Sequence, residues 1–475
     1  MMMTQTGKHP SSLECCIPDM AYRTSFGIRF RIPKGCLFRY ETLTNRIIPE
    51  EDCPKCASRG KGNNSEPDVA VVPLGQIGYG DSLINCLDMS NGGMNSLTLE
   101  MTRQCNCRCS YCLYSGAYDN RRTHSDSVMS PQTILRALQF YKRHNGKCKE
   151  AHISFYGGEA LLEFSAIKST VSEAKRLFHE KPLSFSISTN GLLLGNDVIK
   201  WLADNPNVSV VATVNGPRHD DYRKTREGKA TLKTIVKNVA RIKDNNLRVW
   251  NEQVKFICNI ASLTEIRTLR AFYNQVIGKE PIAITGILAQ HGNEHIANMI
   301  KHGRNSRMRL WRELADEYMN NGDRFLHVLF RNRLRRIEKR PIFKDSAPAV
   351  ASNCIPFLSN CFISSEGSFN LCEKNAEMCF GNVISGIDKE KVKILMENAL
   401  TVFNRKCRKC WAQRLCSICF ADMDNLMNNN ADISEERCKT ERENIVSDLS
   451  IFTEFTLFHP LLFDKLYGGS QSRES

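Results

Sequence analysis

Three cysteines within one short segment constrain this chain more than any other feature of its sequence. Residues 101–113 read MTRQCNCRCSYCL, so Cys105, Cys109 and Cys112 follow the spacing C-x3-C-x2-C. The alternating run SLTLEM at residues 96–101 predicts a β-strand directly before them. Three thiolates on one tight loop can hold three irons of a 4Fe–4S cube, and the fourth iron then stays open. An open metal position is typical of a catalytic site, because a substrate or cofactor must coordinate there.

The same cysteines have two simpler interpretations. Cys107 lies inside the segment and would complete a zinc site, since structural zinc takes four nitrogen or sulfur ligands. The thiols would otherwise be free and buried. Because Cys107 falls outside the C-x3-C-x2-C spacing, we predict that it is not a cluster ligand.

The cysteine content of the whole chain indicates a reducing compartment. The 475 residues include 21 cysteines in short-spaced groups, and the first residues contain no apolar signal-peptide core. We therefore predict a cytoplasmic protein whose cysteines bind metal clusters instead of forming a disulfide framework. No apolar stretch approaches the ~20 residues that span a bilayer, so we expect no membrane partner.

The net charge of the chain favours acidic partners. It is +14 at pH 7, but the basic residues are mostly dispersed and carry no nucleic-acid fingerprint, so we expect no nucleic-acid partner. A denser basic run, RNRLRRIEKR at residues 331–340, predicts either a solvated helix face or a landing site for an acidic leader peptide.

Strands and helices alternate between residues 95 and 287, which predicts parallel βαβ units. Six units indicate a partial barrel, an α/β fold whose chemistry lies at the carboxyl ends of the strands. The predicted strands cover residues 97–101, 152–156, 184–189, 209–215, 254–260 and 282–287, and the predicted helices cover residues 131–145, 164–180, 198–204, 230–244 and 263–278.

Glycines and polar residues follow these strands at the expected edge of the sheet. Gly157 and Gly158 allow bare backbone to approach a ligand, although such a pair is also typical of a simple turn. Asn190 follows the third strand as a polar group at the rim. Arg223 is suited to bidentate binding of a carboxylate, and its alternative is a solvated arginine at a helix start.

Together these motifs resemble the radical S-adenosylmethionine (radical SAM) enzymes. The resemblance rests on the cysteine spacing, on GGE at residues 157–159, on TNG at residues 189–191 and on TVNGP at residues 213–217. It implies that the three catalytic cysteines Cys105, Cys109 and Cys112 bind a 4Fe–4S cluster, whose open iron chelates S-adenosylmethionine. The cofactor-binding residues that it implies are Tyr111, Gly157, Gly158, Glu159, Asn190, Thr213 and Arg223.

Two positions depart from the family pattern. Thr213 stands where the family has serine, and it keeps the hydroxyl that the resemblance assigns to the cofactor's carboxylate. Asn215 replaces an aspartate, so the chain lacks an acid at this point.

A second group of cysteines begins at residue 354 and resembles the SPASM extension of radical SAM enzymes. Its pattern includes G-x4-C and C-x2-C-x5-C-x2-C, in which the last step is one residue shorter than in the family. Paired C-x2-C groups are also typical of zinc ribbons. The resemblance implies two auxiliary 4Fe–4S clusters, one bound by Cys407, Cys410, Cys416 and Cys438 and the other by Cys354, Cys372 and Cys419. Cys361 is either a fourth ligand of the latter or a buried core thiol.

These observations predict five segments. They are an N-terminal segment (1–92), a radical SAM partial barrel (93–290), a basic helical linker (291–347), a SPASM domain (348–445) and a tail (446–475). The N-terminal segment would engage a leader peptide. Its Cys53 and Cys56 are either half of a metal site with Cys15, Cys16 or Cys36 or an isolated pair that binds no metal.

The phrases CNCRCSYCLYSG and CWAQRLC narrow the resemblance to maturases of cysteine-rich ribosomal peptides. This implies that a 5'-deoxyadenosyl radical abstracts hydrogen from a precursor peptide and that a thioether crosslink forms. It also implies an electron donor such as flavodoxin or ferredoxin. The alternatives are a sulfatase-maturase-like enzyme that makes formylglycine, another peptide crosslinker, and a non-catalytic iron–sulfur carrier or zinc scaffold.

Overall fold

A mixed sheet of ten strands organises the fold. The computed structural model describes residues 23–24, 27–42, 44–50, 93–116, 122–287, 294–340, 357, 360–407, 409–428 and 430–467. The strands are β1 (Arg23–Thr24), β2 (Gly27–Arg31), β3 (Leu37–Glu41), β4 (Arg46–Pro49), β5 (Ser96–Thr102), β6 (Cys107–Cys109), β7 (Ala151–Gly157), β8 (Leu183–Thr189), β9 (Val208–Thr213), β10 (Arg223–Thr225), β11 (Val254–Ile260), β12 (Ala283–Gly286), β13 (Asn360–Ile363), β14 (Ser368–Cys372), β15 (Asn375–Asn382) and β16 (Gly386–Ile387). The α-helices are α1 (Pro131–His144), α2 (Phe164–Leu177), α3 (Asn196–Asp204), α4 (His219–Tyr222), α5 (Leu232–Asn245), α6 (Leu247–Glu252), α7 (Ile266–Phe272), α8 (Glu294–Asn321), α9 (Arg324–Glu338), α10 (Lys389–Val402), α11 (Glu435–Phe458) and α12 (Pro460–Tyr467).

Six parallel strands form the first part of this sheet, in the order β12-β11-β9-β8-β7-β5. Each neighbouring pair is parallel. Apolar side chains alternate along each strand; in β11, Val254, Phe256 and Cys258 are fully buried. The six predicted strands and the predicted α/β class are therefore confirmed.

The helices between these strands begin and end where local chemistry favours it. In α1, the Ser130 side chain accepts a hydrogen bond from the Thr133 N–H at 3.1 Å, and Pro131 occupies the first turn. Basic residues fill the last turn of α1, where the helix dipole favours positive charge. The predicted helix at residues 131–145 is confirmed to within one residue.

The helix predicted at residues 263–278 is divided into three pieces. A short 3-10 helix (Leu263–Glu265) leads into α7, and a π-helix (Tyr273–Ile277) follows. The buried Tyr273 donates a hydrogen bond to the carbonyl oxygen of Val214 at 2.8 Å. Gly278 then ends the segment in the left-handed conformation, with φ at +76°.

The cysteine-rich region continues the barrel sheet. Strand β13 pairs with β5 in parallel, with Cys361 opposite Leu97. Strands β14, β15 and β16 then add an antiparallel meander. Cys361 is completely buried, so it lies in the core, as the interpretation of Cys361 as a buried core thiol predicted.

The N-terminal part forms a separate antiparallel sheet, β1-β2-β3-β4. It contacts the cysteine-rich region, because Thr42 donates a hydrogen bond to the carbonyl oxygen of Trp411 at 2.8 Å and Arg414 donates to that of Thr42 at 2.6 Å. Cys53 and Cys56 lie outside the described residues. Leader-peptide engagement by this segment remains a prediction.

The basic run at residues 331–340 is partly structural. Arg333 stacks on the Trp311 ring at 3.7 Å and forms an ion pair with Asp448, and Arg336 pairs with Glu441 at 3.0 Å. The solvated face is limited to Arg331, Asn332, Arg335 and Lys339.

Two further findings on the described residues concern membrane-spanning helices and disulfide bonds. None of the described helices has both the length and the apolar character needed to cross a membrane. Cys36 is disulfide-bonded, which departs at this one position from the prediction that the cysteines bind clusters instead of forming disulfides; the other described cysteines are not disulfide-bonded.

Candidate functional site

The three predicted cluster cysteines lie at the carboxyl end of β5, on a loop fixed by a short ladder. Strand β6 pairs with β10, with Cys109 opposite Arg223. The backbone N–H of Cys112 donates to the carbonyl oxygen of Cys109 at 3.1 Å, which folds the last two cysteines into one turn. Cys105, Cys109 and Cys112 are all free and partly exposed. The ladder therefore places an arginine directly against the cysteine loop.

Arg223 is a buried cation with unused hydrogen-bonding capacity. Its Nη1 donates to the Tyr111 hydroxyl at 2.9 Å, but its buried Nε has no hydrogen-bond partner among the described residues. Burial disfavours its charge, but electrostatic interaction with Tyr111 and then with Cys109, together with the hydrogen bond to Tyr111, raises its pKa. An unpartnered guanidinium N–H beside three thiols fits an anionic group at this place. The residues present thus fit a cluster with thiolate ligands and a cofactor with a carboxylate.

The four cysteines of the loop differ in their acidity. The pKa of Cys105 is lowered, chiefly by a hydrogen bond from Cys107, and the same hydrogen bond together with burial raises the pKa of Cys107. Burial raises the pKa of Cys109, and it raises that of Cys112 to about 12. Of the three predicted cluster cysteines, only Cys105 therefore has a lowered pKa.

The GGE segment packs its backbone against the start of the cysteine loop. Gly158 donates to the carbonyl oxygen of Thr102 at 2.9 Å, and Glu159 donates to that of Gln104 at 2.9 Å. A Cβ atom on Gly157 would lie 2.2 Å from the Thr102 oxygen, and one on Gly158 would lie 2.1 Å from the Gln104 oxygen. Glycine is therefore required here by the approach of two protein segments.

The Glu159 carboxylate joins two of the predicted motifs. It accepts hydrogen bonds from the Thr189 hydroxyl at 2.8 Å and from the Asn190 N–H at 2.7 Å. Burial raises its pKa, and these hydrogen bonds oppose the shift. Asn190 in turn donates from its side chain to Asn106 at 2.6 Å and lies 4.0 Å from the Cys105 sulfur. The GGE and TNG segments are thus one unit that supports the cysteine loop.

Thr213 and Tyr111 complete the predicted set at the sheet edge. Thr213 ends β9 and is partly exposed. The Tyr111 hydroxyl receives hydrogen bonds from three donors: Arg223, Asn215 at 2.9 Å and Asn259 at 3.2 Å. The amide at position 215 donates where an aspartate could only accept.

Asn259 and Thr285 are site residues that the sequence reasoning did not identify. The Thr285 hydroxyl donates to the Asn259 side-chain oxygen, and Asn259 contacts Tyr111. Both lie near the carboxyl ends of their strands, β11 and β12. The sequence reasoning considered residues that follow each strand, whereas each of these two is the last residue but one of its strand.

The second group of cysteines is brought together in part. Four of them influence one another electrostatically; burial and the neighbouring thiols raise the pKa of Cys407 and of Cys416 to about 12. This is the predicted set of one auxiliary cluster, Cys407, Cys410, Cys416 and Cys438. Cys372 ends β14, and Cys419 precedes a short 3-10 helix. Cys354 lies outside the described residues.

The described ranges contain no group of three or more histidine, cysteine, aspartate or glutamate side chains arranged around one metal ion.

Comparison with known proteins identifies the family of the domain that carries these residues. Residues 99–259 match the model of the radical SAM superfamily. The radical SAM cyclopropyl synthase TigE of Paramaledivibacter caminithermalis is 25% identical over 161 residues, 32% of this chain and 34% of that protein. The sporulation killing factor maturation protein SkfB of Bacillus subtilis is 31% identical over 145 residues, 30% of this chain and 32% of that protein. The matches thus span about a third of these relatives.

Solved structures extend the likeness beyond the matched domain. The structure of anSMEcpe with bound AdoMet has a TM-score of 0.56, covering 79% of this chain and 96% of that chain at 17% identity. At this identity the likeness concerns the fold. Residues 99–259 of this chain therefore form a radical SAM domain, and a cysteine-rich region follows it.

Proposed function

We propose that this protein is a radical SAM enzyme that introduces thioether crosslinks into a cysteine-rich precursor peptide. One observation carries the assignment to an enzyme. Arg223, buried and with its Nε unpartnered in the described structure, lies against the loop of Cys105, Cys109 and Cys112 at the carboxyl end of β5. An electron carrier has no need for an anion-binding group beside its cluster. The proposal of a peptide substrate is supported by the cysteine-rich motifs of the sequence and by the similarity to SkfB, a sporulation killing factor maturation protein.

In this proposal each group at the site has a separate task. Cys105, Cys109 and Cys112 hold the cluster, and Arg223 binds the cofactor's carboxylate with the help of the Thr213 hydroxyl. Tyr111 orients Arg223 through its hydroxyl. Glu159 holds Thr189 and Asn190 against the loop and so keeps the site rigid. Gly157 and Gly158 leave backbone carbonyl groups available to the cofactor's amino group.

The bound cluster and S-adenosylmethionine would supply an electron and a carbon radical that removes a hydrogen atom from the substrate. The peptide loses one carbon-bound hydrogen and one thiol hydrogen as its carbon–sulfur bond forms. S-adenosylmethionine is the two-electron oxidant that balances this loss. A reductant of the flavodoxin or ferredoxin class primes the first turnover, and the auxiliary cysteines would hold the clusters that take up the returning electron.

The test is anaerobic co-expression with a candidate cysteine-rich precursor peptide. The peptide is then alkylated and weighed. We expect each event to remove two hydrogens and one alkylatable thiol, and we expect no change with a Cys105→Ala, Cys109→Ala, Cys112→Ala variant. A peptide that keeps its full mass and all its thiols in the presence of the clustered wild-type protein would refute the proposal.

A second candidate is oxidation of one substrate residue to formylglycine. It is favoured by the similarity to a serine-type anaerobic sulfatase-maturating enzyme of Bacteroides thetaiotaomicron, 25% identical over 150 residues, 31% of this chain and 36% of that protein. This product has an aldehyde and no crosslink. Labelling the peptide with a hydrazide reagent therefore separates the two reactions.

A further inference from the structure

The outer face of the cysteine loop carries exposed basic side chains. In the ladder of β6 and β10, Arg108 lies opposite Lys224, and Cys109 lies opposite Arg223. Successive side chains of a strand point to opposite faces, so Arg108 and Lys224 share one face and the cysteines of β6 share the other. Arg108 and Lys224 are exposed, whereas Cys107 and Arg223 are buried. The ladder therefore has positive charge on the face opposite to its cysteines.

The turn after β10 adds two more exposed cations, Arg226 and Lys229. The N–H of Arg226 donates to the carbonyl oxygen of Asn106 at 3.0 Å, which holds the turn against the cysteine loop. Glu227 is the acidic residue of this turn. We call the four exposed cations the basic patch: Arg108, Lys224, Arg226 and Lys229. Within the described residues, no carboxylate forms an ion pair with any of them.

The basic patch lies directly on the loop of the predicted cluster cysteines. Arg108 donates from Nη1 to the carbonyl oxygen of Cys105 at 2.8 Å. Burial lowers the pKa of His124, and the charges of Arg108 and Arg226 lower it further although a hydrogen bond to the backbone opposes the shift. His124 Nε2 lies 3.9 Å from the Cys112 sulfur. The charge of the patch therefore reaches the immediate surroundings of the loop cysteines.

We propose that the basic patch is the docking surface of an acidic one-electron carrier that reduces the cluster held by this loop. Complementary charge speeds the encounter of two proteins and fixes their orientation. Electron transfer slows steeply with distance, so a carrier docked on the outside of the loop is well placed to deliver its electron. One electron leaves the carrier and enters the cluster, and no bond forms or breaks in this step.

The position of the patch favours a carrier over an acidic peptide substrate. Arg223, the proposed contact of the cofactor's carboxylate, is buried on the other face of the ladder. A peptide bound to the patch would therefore be separated from the reacting atoms by the cysteine loop itself. An electron can cross this loop, whereas a substrate residue cannot. The inference rests on the proposed function and adds the surface at which the electron enters.

The test reverses the charge of the patch and leaves Arg108 in place, because Arg108 also supports the loop. The patch variant carries Lys224→Glu, Arg226→Glu and Lys229→Glu. The control variant has the same change of net charge at exposed positions of α1, α2 and α3: Arg136→Glu, Lys168→Glu and Lys200→Glu. Each is prepared as the full chain with its clusters, and the probe is a flavodoxin of negative net charge. Anaerobic titration calorimetry measures flavodoxin binding, and 5'-deoxyadenosine formation without peptide is driven either by reduced flavodoxin or by dithionite.

We expect the patch variant to bind flavodoxin about tenfold more weakly and to form 5'-deoxyadenosine about tenfold more slowly when flavodoxin is the reductant. Its iron content and its rate with dithionite should equal those of wild type, because a small reductant needs no docking surface. Added salt should weaken flavodoxin binding by wild type more than by the patch variant, since it screens the charges that the variant lacks. The control variant should behave as wild type throughout.

The inference would be overturned if wild type did not bind flavodoxin, if the patch variant bound it as tightly as wild type, or if the control variant lost as much affinity. It would also be overturned if the patch variant kept its affinity for flavodoxin and lost affinity for the precursor peptide, because the patch would then be a peptide site. If clustered wild type forms no 5'-deoxyadenosine even with dithionite, the proposed function fails. The calorimetric titration decides on the docking surface independently of that result.

Discussion

Arg223 gives the site its positive charge, and its environment sets what a substitution would do. The guanidinium contacts Tyr111 through one nitrogen and keeps Nε, unpartnered among the described residues, for a second contact. A lysine has one ammonium group and cannot serve two separated partners in this planar geometry. We predict that Arg223→Lys weakens S-adenosylmethionine binding about tenfold, or roughly 1.4 kcal/mol. Anaerobic equilibrium dialysis measures this, with Arg218→Lys in an exposed ion pair as control. Equal affinity of wild type and Arg223→Lys would contradict the assigned contact.

His219 is a buried neutral histidine that supports the same site. Its Nδ1 accepts from the Asn215 N–H at 3.1 Å, and its Nε2 contacts the Thr231 hydroxyl at 3.1 Å. Burial, and then the charge of Arg223, lowers its pKa from 6.5 to about 3.

The protein should therefore lose stability when the solution is acidified. Below about pH 6.5 the unfolded chain binds a proton at this position and the folded chain does not, so stability falls until the pH nears 3. The loss at pH 5 is on the order of 2 kcal/mol. Thermal unfolding of wild type and His219→Gln at pH 7 and pH 5 measures it. We expect a smaller decrease in Tm for the variant, and equal decreases would contradict a neutral buried ring.

At the level of single residues, sequence reasoning identified side chains better than their contacts. The sequence predicted the positions of the loop cysteines and of the GGE and TNG segments, because each of them follows a strand. The hydrogen bonds of Glu159 to Thr189 and Asn190 were not, because they join residues thirty positions apart. Their pairing follows from the order of strands in the sheet, which a local pattern does not contain.

At the level of elements, a buried ion pair joins the cysteine loop to the second cysteine region. Glu100 of β5 pairs with Arg122 at 3.1 Å, and both are buried. Arg122 also donates to the carbonyl oxygen of Glu373 at 2.7 Å, directly after Cys372. Tyr114, two residues after Cys112, donates to Glu100 at 2.7 Å.

This pair should be among the most sensitive structural positions outside the site. Removing one member of a buried pair costs about 3–5 kcal/mol when the remaining charge is uncompensated. Glu100 would keep its ion pair with Arg103 at 3.1 Å, so the expected cost is at the lower end, about 3 kcal/mol. We predict that Arg122→Leu lowers the free energy of unfolding by this amount and reduces bound iron. The control is Arg176→Leu in an exposed pair with Glu173, which should leave the free energy of unfolding nearly unchanged. Chemical denaturation and iron analysis measure both, and similar effects of the two substitutions would contradict the argument.

The elements themselves were predictable to different degrees. The strands of the barrel were readable because alternating apolar residues persist over six or seven positions, as in Val254–Ile260. The ladder of β6 and β10 was not, because each strand has three residues. The pairing of β13 with β5 joins segments about 260 residues apart and has no local signature.

At the level of the whole molecule, one sheet unites the two cysteine regions. The carboxyl end of strand β5 leads into the loop of Cys105, Cys109 and Cys112. One edge of the same strand pairs with β13 of the cysteine-rich region. Helices α8, α9 and α11 close the gap between them, where Arg312 pairs with Glu454 at 2.5 Å. The two cysteine regions are thus held at a fixed separation, as electron transfer between their clusters would require.

The central claim is that Cys105, Cys109 and Cys112 form a site for cleavage of S-adenosylmethionine. The most direct measurement is 5'-deoxyadenosine formation by anaerobically reconstituted protein with dithionite, compared between wild type, Cys109→Ala and Cys107→Ala. Cys107 is the matched control, because it is a free thiol on the same loop outside the spacing. We predict product from wild type and Cys107→Ala and none from Cys109→Ala. Equal product from Cys109→Ala and wild type, or none from fully clustered wild type, would contradict the account.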